Sequence, residues 1–120
     1  MATVLLADDS MFQRFILAKI VTGEGHQALQ ATSGRECVDM ALEHAPDLIL
    51  LDLNMPGLGG LDALAIFRDN NLRAKTVVIT ADIQSTTAAR CRELGAAAIL
   101  NKPLDEDALR ALLASLLPAC

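Results

Sequence analysis

The feature that most constrains this chain is an alternation. Short β-rich apolar runs at Thr3–Ala7, Gln27–Ala31, Asp47–Leu53, Thr76–Thr80 and Ala97–Leu100 are separated by stretches with helical spacing. In the third run Leu48, Ile49, Leu50 and Leu51 are apolar at consecutive positions, which suits a parallel strand covered by helices on both faces. Phe12, Phe15, Ile16 and Ile20 share one helical face, as do Val38, Ala41 and Leu42, then Leu61 and Leu64, and finally Leu109, Leu112, Leu113 and Leu116. Each of these faces is expected to be buried. Between Ile83 and Leu94 a helix is expected on a thinner stripe, Ala88, Cys91 and Leu94. Gly23, Gly25, Pro46, Gly57, Gly59, Gly60 and Gly95 fall between the periodic segments, where turns belong.

Five βα units within 120 residues, joined by right-handed crossovers, predict a doubly wound α/β sandwich, because an eightfold barrel needs about 250 residues. The apolar share of 52% is enough for one buried core without staples. Residues 1–120 are expected to form a single domain with no output domain in this chain. The three cysteines, Cys37, Cys91 and Cys120, have no spacing that fits zinc or a disulfide framework, so buried or idle thiols are expected. A net charge of −5 with scattered basic residues argues against a nucleic-acid partner. No apolar run approaches membrane-spanning length, and Met1-Ala2-Thr3 lacks the start of a secretory signal, so no membrane association and a cytoplasmic location are expected.

In such a sheet, ligands bind beyond the carboxyl ends of the strands. There the sequence places Asp8-Asp9 after the first run, Asp52 at the end of the third, Thr80 at the end of the fourth and Lys102-Pro103 after the fifth. Three carboxylates at neighbouring strand ends repel one another, so either their pKa values rise or a cation joins them. Mg2+ fits that donor set, since oxygen ligands are present and no His or Cys cluster accompanies them. Singly, each residue has a plainer role: Asp9 or Ser10 as a helix cap, Thr80 as a strand hydroxyl, Lys102 as a solvated charge. Their joint placement favours a site. His26 and His44 are isolated and expected to be solvated, Gly57, Gly59 and Gly60 lack a phosphate-binding spacing, and Asp105 reads as the cap of the last helix, with Glu106 and Asp107 favourable to its dipole.

Taken in order, the acidic pair, Asp52-Leu53-Asn54-Met55-Pro56 closed by Gly60, Thr80-Ala81 and Lys102-Pro103 resemble the response-regulator receiver domains, in particular the chemotaxis-type single-domain members, over nearly the whole chain. That resemblance implies a flavodoxin-like five-stranded parallel sheet of order 2-1-3-4-5. It further implies Asp52 as phosphoacceptor, with Mg2+ held by Asp8, Asp9, Asp52 and the backbone carbonyl of Asn54. Lys102 and Thr80 would hold phosphoryl oxygens, Ala81 would be the small neighbour of the hydroxyl residue, and Pro103 would follow a cis peptide bond. Asn54 and Asp82 would flank the route of a hydrolytic water. The donor implied is a phosphohistidine on a sensor histidine kinase or a histidine phosphotransfer protein, and the output is phosphorylation-dependent binding of a protein target or onward relay. The protein would be a monomer or weak dimer, and an enzyme only toward its own phosphorylation and dephosphorylation.

One position departs from the pattern. Many members of that family carry Tyr or Phe three residues before the lysine, whereas this chain has Ile99 and no Tyr or Trp anywhere. The expectation is that phosphorylation still draws Thr80 inward, with its surface consequence carried by the loop after Thr80. A second class of function, a Mg2+-dependent phosphatase or phosphotransferase working through an aspartyl phosphate, is disfavoured by Asn54. Phosphatases of the haloacid-dehalogenase type place a second Asp, a general acid, two residues after the nucleophile.

Overall fold

A computed structural model describes residues 2–82 and 84–117. Ten elements alternate along the chain: β1 (Thr3–Ala7), α1 (Met11–Gly23), β2 (Gln27–Ala31), α2 (Gly34–His44), β3 (Leu48–Asp52), α3 (Gly60–Asp69), β4 (Lys75–Thr80), α4 (Ser85–Glu93), β5 (Ala98–Asn101) and α5 (Glu106–Leu116). The five strands are all parallel, in the order β2-β1-β3-β4-β5. The doubly wound sandwich and its strand order are therefore as expected.

The consecutive apolar residues of the central strands divide between two cores, because successive side chains point to opposite faces of a sheet. Leu5, Ile49, Leu51 and Val78 pack with Cys37, Val38, Ala63, Leu64, Phe67 and Cys91, so α2, α3 and α4 cover one face. Val4, Leu6, Leu48, Leu50, Val77 and Ile79 pack with Leu17, Ile20, Val21, Leu109 and Leu113, so α1 and α5 cover the other. Edge strand β2 carries polar Gln27 and Gln30 and is buried only at Ala31.

Several details correct the reading from sequence. Phe12 and Phe15 are 70% and 62% exposed, and α1 buries Leu17, Ile20 and Val21 instead. Two overlapping apolar stripes run along α1, and the sheet accepts the one lying next to Ile20. Leu42 is likewise 49% exposed while α2 buries Gly34, Cys37, Val38 and Ala41, and Leu61, Leu112 and Leu116 are half-buried at the edges of their stripes. Strand β3 is one residue shorter at each end than Asp47–Leu53, and the Asp47 carboxylate accepts the Thr3 N–H at 2.8 Å. Strand β4 begins one residue earlier, at Lys75, and β5 runs one residue later than expected. The thin stripe of α4 is borne out, with Cys91 its one buried residue. Cys37 and Cys91 are buried free thiols, and burial pushes the Cys37 thiol up to about 12. Ile83 and Cys120 lie outside the described residues. Among those described, no helix is long and apolar enough to cross a membrane.

Candidate functional site

Strand order brings the polar strand ends together. With β3 between β1 and β4, Ala7 stands beside Leu51 and Asp52 beside Ile79, while Thr80 stands beside Asn101 across to β5. The residues that close these strands, Asp8, Asp52, Thr80 and Lys102, therefore share one rim of the sheet. Asp8, Asp52 and Thr80 are no more than 3% exposed, whereas Asp9 faces solvent.

The rim is densely charged. One carboxylate oxygen from each of Asp8, Asp9 and Asp52 lies within 4.8 Å of the others. The Lys102 ammonium reaches in from the β5 side, its Nζ 3.3 Å from Asp52 Oδ2 and 3.9 Å from Asp8 Oδ2. Three carboxylates against one ammonium leave a surplus of negative charge in a partly dry hollow. Burial, above all, raises the Asp8 carboxyl above its ordinary range, and the charges of Asp52 and Asp9 push the same way. The Ser10 N–H and the Lys102 ammonium oppose them. A hard divalent cation would remove that conflict, and oxygens with no His or Cys among them form the donor set for one.

Short-range bonds hold the carboxylates. Asp8 Oδ1 accepts the Ser10 N–H at 2.9 Å, and Ser10 in turn caps α1 by accepting the Gln13 N–H. Asp52 Oδ1 accepts the Asn54 N–H at 3.1 Å. The loop after Asp52 folds back tightly: the Gly60 N–H donates to the Leu53 carbonyl, and a Cβ on Gly60 would stand 2.7 Å from Leu53 Cα and 3.0 Å from the Asp52 carbonyl. On the far side, a Cβ on Gly34 would overlap the Leu58 carbonyl, so the start of α2 abuts this loop closely.

On the other flank, the Lys102 N–H donates to the Thr80 carbonyl at 2.8 Å, and the Lys102-Pro103 peptide is cis. Asp105 caps α5 through the N–H groups of Asp107 and Ala108, as its sequence position predicts. Thr80 Oγ1 accepts the Asp82 N–H at 3.0 Å, and Ala81 between them is exposed. Ile99 is half-buried and, with Thr80, Asp82, Thr87 and Cys91, lines a cavity of about 160 Å³ between α4 and β5. His44 is exposed, but His26 is half-buried and its Nδ1 accepts the Ala2 N–H at 3.2 Å, a structural bond that its isolation in sequence does not reveal.

Two participants were not anticipated from the sequence. Arg14 donates from Nη1 to the Asp8 carbonyl at 2.7 Å and from Nε to Gln30 Oε1 at 3.3 Å, pinning the Asp8-Asp9 turn to α1 and β2. An arginine one turn into the helix that follows an acidic pair is the signal that points to it. Thr87 donates its hydroxyl to Asp82 Oδ2 at 2.6 Å, a bond no spacing rule reveals.

A flavodoxin-like sandwich with an acidic, lysine-flanked hollow at the carboxyl rim is the arrangement of a signalling receiver module. The family model of the response regulator receiver domain matches residues 4–114, and the chain belongs to that family, the receivers of two-component systems. It is 32% identical over 117 residues to sporulation initiation phosphotransferase F of Bacillus subtilis, covering 96% of this chain and 93% of that protein. It is 34% identical over 111 residues to protein PilH of Pseudomonas aeruginosa, covering 91% and 92%. Among solved structures, chemotaxis protein CheY4 of Vibrio cholerae superposes with a TM-score of 0.90 at 26% identity, over 98% of this chain and 99% of that one.

Proposed function

We propose that Asp52 accepts a phosphoryl group from a phosphohistidine, and that the modified domain signals by binding a protein target or by passing the group onward. The observation that carries this reading is the convergence of Lys102 Nζ, 3.3 Å from Asp52 Oδ2, with carboxylate oxygens of Asp8 and Asp9 on the same carboxylate. Lys102 offers the positive charge that a phosphorylated Asp52 needs, and the surplus negative charge of Asp8 and Asp9 is what a divalent cation would balance. The likeness to a phosphotransferase of sporulation supports the relay alternative.

Asp8, Asp9, Asp52 and the Asn54 carbonyl are the ligands we assign to Mg2+. Their carboxylate oxygens, one from each aspartate and all within 4.8 Å of one another, would suit a small hard cation that takes oxygen ligands. When bound, the ion supplies charge neutralisation between the carboxylate and the incoming phosphoryl group. The residues do the rest. An Asp52 carboxylate oxygen attacks phosphorus in line, the bond from phosphorus to the donor imidazole nitrogen breaks, and the imidazole departs carrying that electron pair. Lys102 holds one phosphoryl oxygen and the Thr80 hydroxyl donates to another, so catalysis is positioning and electrostatics. Asn54 and Asp82 flank the approach of the water that later hydrolyses the acyl phosphate. The domain thus acts catalytically only on itself.

The donor is a protein carrying phosphohistidine, a sensor kinase or a phosphotransfer protein. Met11, Phe12 and Phe15, 76%, 70% and 62% exposed, begin the helix that follows Asp8 and Asp9 and offer such a donor an apolar landing beside the rim. Mass spectrometry after incubation with acetyl phosphate tests the chemistry. The expected result is one phosphoryl adduct on the wild type that requires Mg2+ and is absent from Asp52→Asn. An adduct persisting in that variant, or forming equally in the presence of a chelator, would remove the reading.

A further inference from the structure

Resting on the reading that Asp52 is phosphorylated and that Thr80 serves the phosphoryl group, we propose that Asp82 and Thr87 form a latch. It holds the Thr80 hydroxyl in its resting place and connects it to α4. Thr87, a helix residue with no part in the chemistry, is thereby a positioning residue that restrains phosphorylation and senses it.

Three hydrogen bonds meet at Asp82, whose N–H is tied to Thr80 and whose carboxylate is tied to both Gln84 and Thr87. Thr80 Oγ1 accepts the Asp82 N–H at 3.0 Å, Asp82 Oδ1 accepts the Gln84 N–H at 2.9 Å, and Asp82 Oδ2 accepts the Thr87 hydroxyl at 2.6 Å. Hydrogen bonds to an ionised carboxylate are short and strong, and this last one is the shortest of the three. Gln84, the N-cap of α4, makes no side-chain capping bond, so the start of the helix is anchored by Asp82 from two residues upstream. Thr87, foremost, and Gln84 hold the Asp82 carboxyl below its ordinary value, as expected of bonds that favour the ionised carboxylate.

Any displacement of Thr80 Oγ1 toward a group on Asp52 stretches its bond to the Asp82 N–H. The Asp82 backbone can follow only if its carboxylate releases Thr87 or the first turn of α4 moves with it. A cavity of about 160 Å³ lined by Thr80, Asp82, Thr87, Cys91 and Ile99 leaves unfilled space beside these groups. A ring at position 99 would be a second connection between the site and this surface, and Ile99 supplies none. This set of hydrogen bonds is then the direct connection from site to helix, and because it favours the resting arrangement, weakening it speeds phosphorylation.

The test compares Thr87→Val, which keeps shape and loses the hydroxyl, with Thr87→Ser, which keeps the hydroxyl. Rates of adduct formation from acetyl phosphate with Mg2+ are read by mass spectrometry, and backbone amide spectra are recorded with and without beryllium fluoride as the phosphoryl mimic. Loss of one such bond predicts phosphorylation about three- to tenfold faster in Thr87→Val, with the wild-type rate restored in Thr87→Ser. In the wild type the mimic is expected to shift the amides of Asp82 and of the first turn of α4, and in Thr87→Val the response is expected to shrink toward Thr80 and Asp82. A Thr87→Val rate at or below the wild type overturns the latch, as does an undiminished α4 response in that variant. The wild-type spectrum decides the matter even if the variant loses helix α4, since a mimic that binds without moving the Asp82 amide overturns it too. Absence of any Asp52-dependent adduct in the wild type is a separate outcome, and it removes the underlying reading together with the latch.

Discussion

Lys102 Nζ lies 3.3 Å from Asp52 Oδ2 and 3.9 Å from Asp8 Oδ2, so a single ammonium bridges two carboxylates, one closing β3 and one just beyond β1. It acts as a resident cation, and it competes with any metal ion for the same charge. Lys102→Gln is therefore expected to bind Mg2+ roughly tenfold more tightly, the size of one +1/+2 repulsion at ~6 Å in a water-like dielectric. The same variant is expected to be phosphorylated more slowly, because it loses the group that holds a phosphoryl oxygen. Calorimetric Mg2+ titration and adduct kinetics check the two halves, and weaker binding with faster phosphorylation would contradict both.

Burial raises the Asp8 carboxyl above its ordinary value of 3.8. Its folded pKa therefore exceeds its unfolded one, and the stability it contributes is full below the unfolded value and lost as pH rises through the folded value. The metal requires the deprotonated form, so Mg2+ affinity is expected to fall as pH is lowered through the raised value, above the range of ordinary aspartates. Titrations at stepped pH check this. Asp8→Asn is expected to stabilise the metal-free protein by about 1 kcal/mol in urea denaturation while weakening Mg2+ binding, the usual exchange at a functional site.

Gly34 meets the Leu58 carbonyl so closely that a side chain has no room there. Gly34→Ala is expected to destabilise the protein by about 2–3 kcal/mol, because backbone rather than a flexible side chain must move. The displaced loop carries Asn54, so Mg2+ binding should weaken in the same variant. Denaturation midpoints and metal titration check the pair of effects.

Phe12 and Phe15 project from α1 into solvent. Replacing both with Ser is expected to change stability by less than about 0.5 kcal/mol per site. Transfer from a histidine-phosphorylated protein should slow more than modification by acetyl phosphate, since only the protein donor needs a surface. Equal slowing from both donors would argue against a landing site.

Much of the fold was legible because the central strands declare themselves: Leu48 through Leu51 cannot be apolar at every position unless both faces are covered. Asp52, Thr80 and Lys102 were legible for the complementary reason, that a polar residue closing such a run sits at the rim. Helix α1 was misread at the edges of its stripe: Ile16 and Ile20 pack as expected, but Phe12 and Phe15 extend that face on one side and Leu17 and Val21 on the other, and periodicity does not choose between them.

The amino-acid sequence by itself determined the alternation of strands and helices, and which residues end the strands, because hydrophobic periodicity and chain polarity are local properties. Only the tertiary structure decided that Asp8 and Lys102 meet across Asp52, which face of α1 is wet, and that Gly34 touches Leu58 and Thr87 holds Asp82. Those relationships depend on strand order and on the packing of distant segments, where a contact is set by geometry in three dimensions and leaves no periodic trace along the chain.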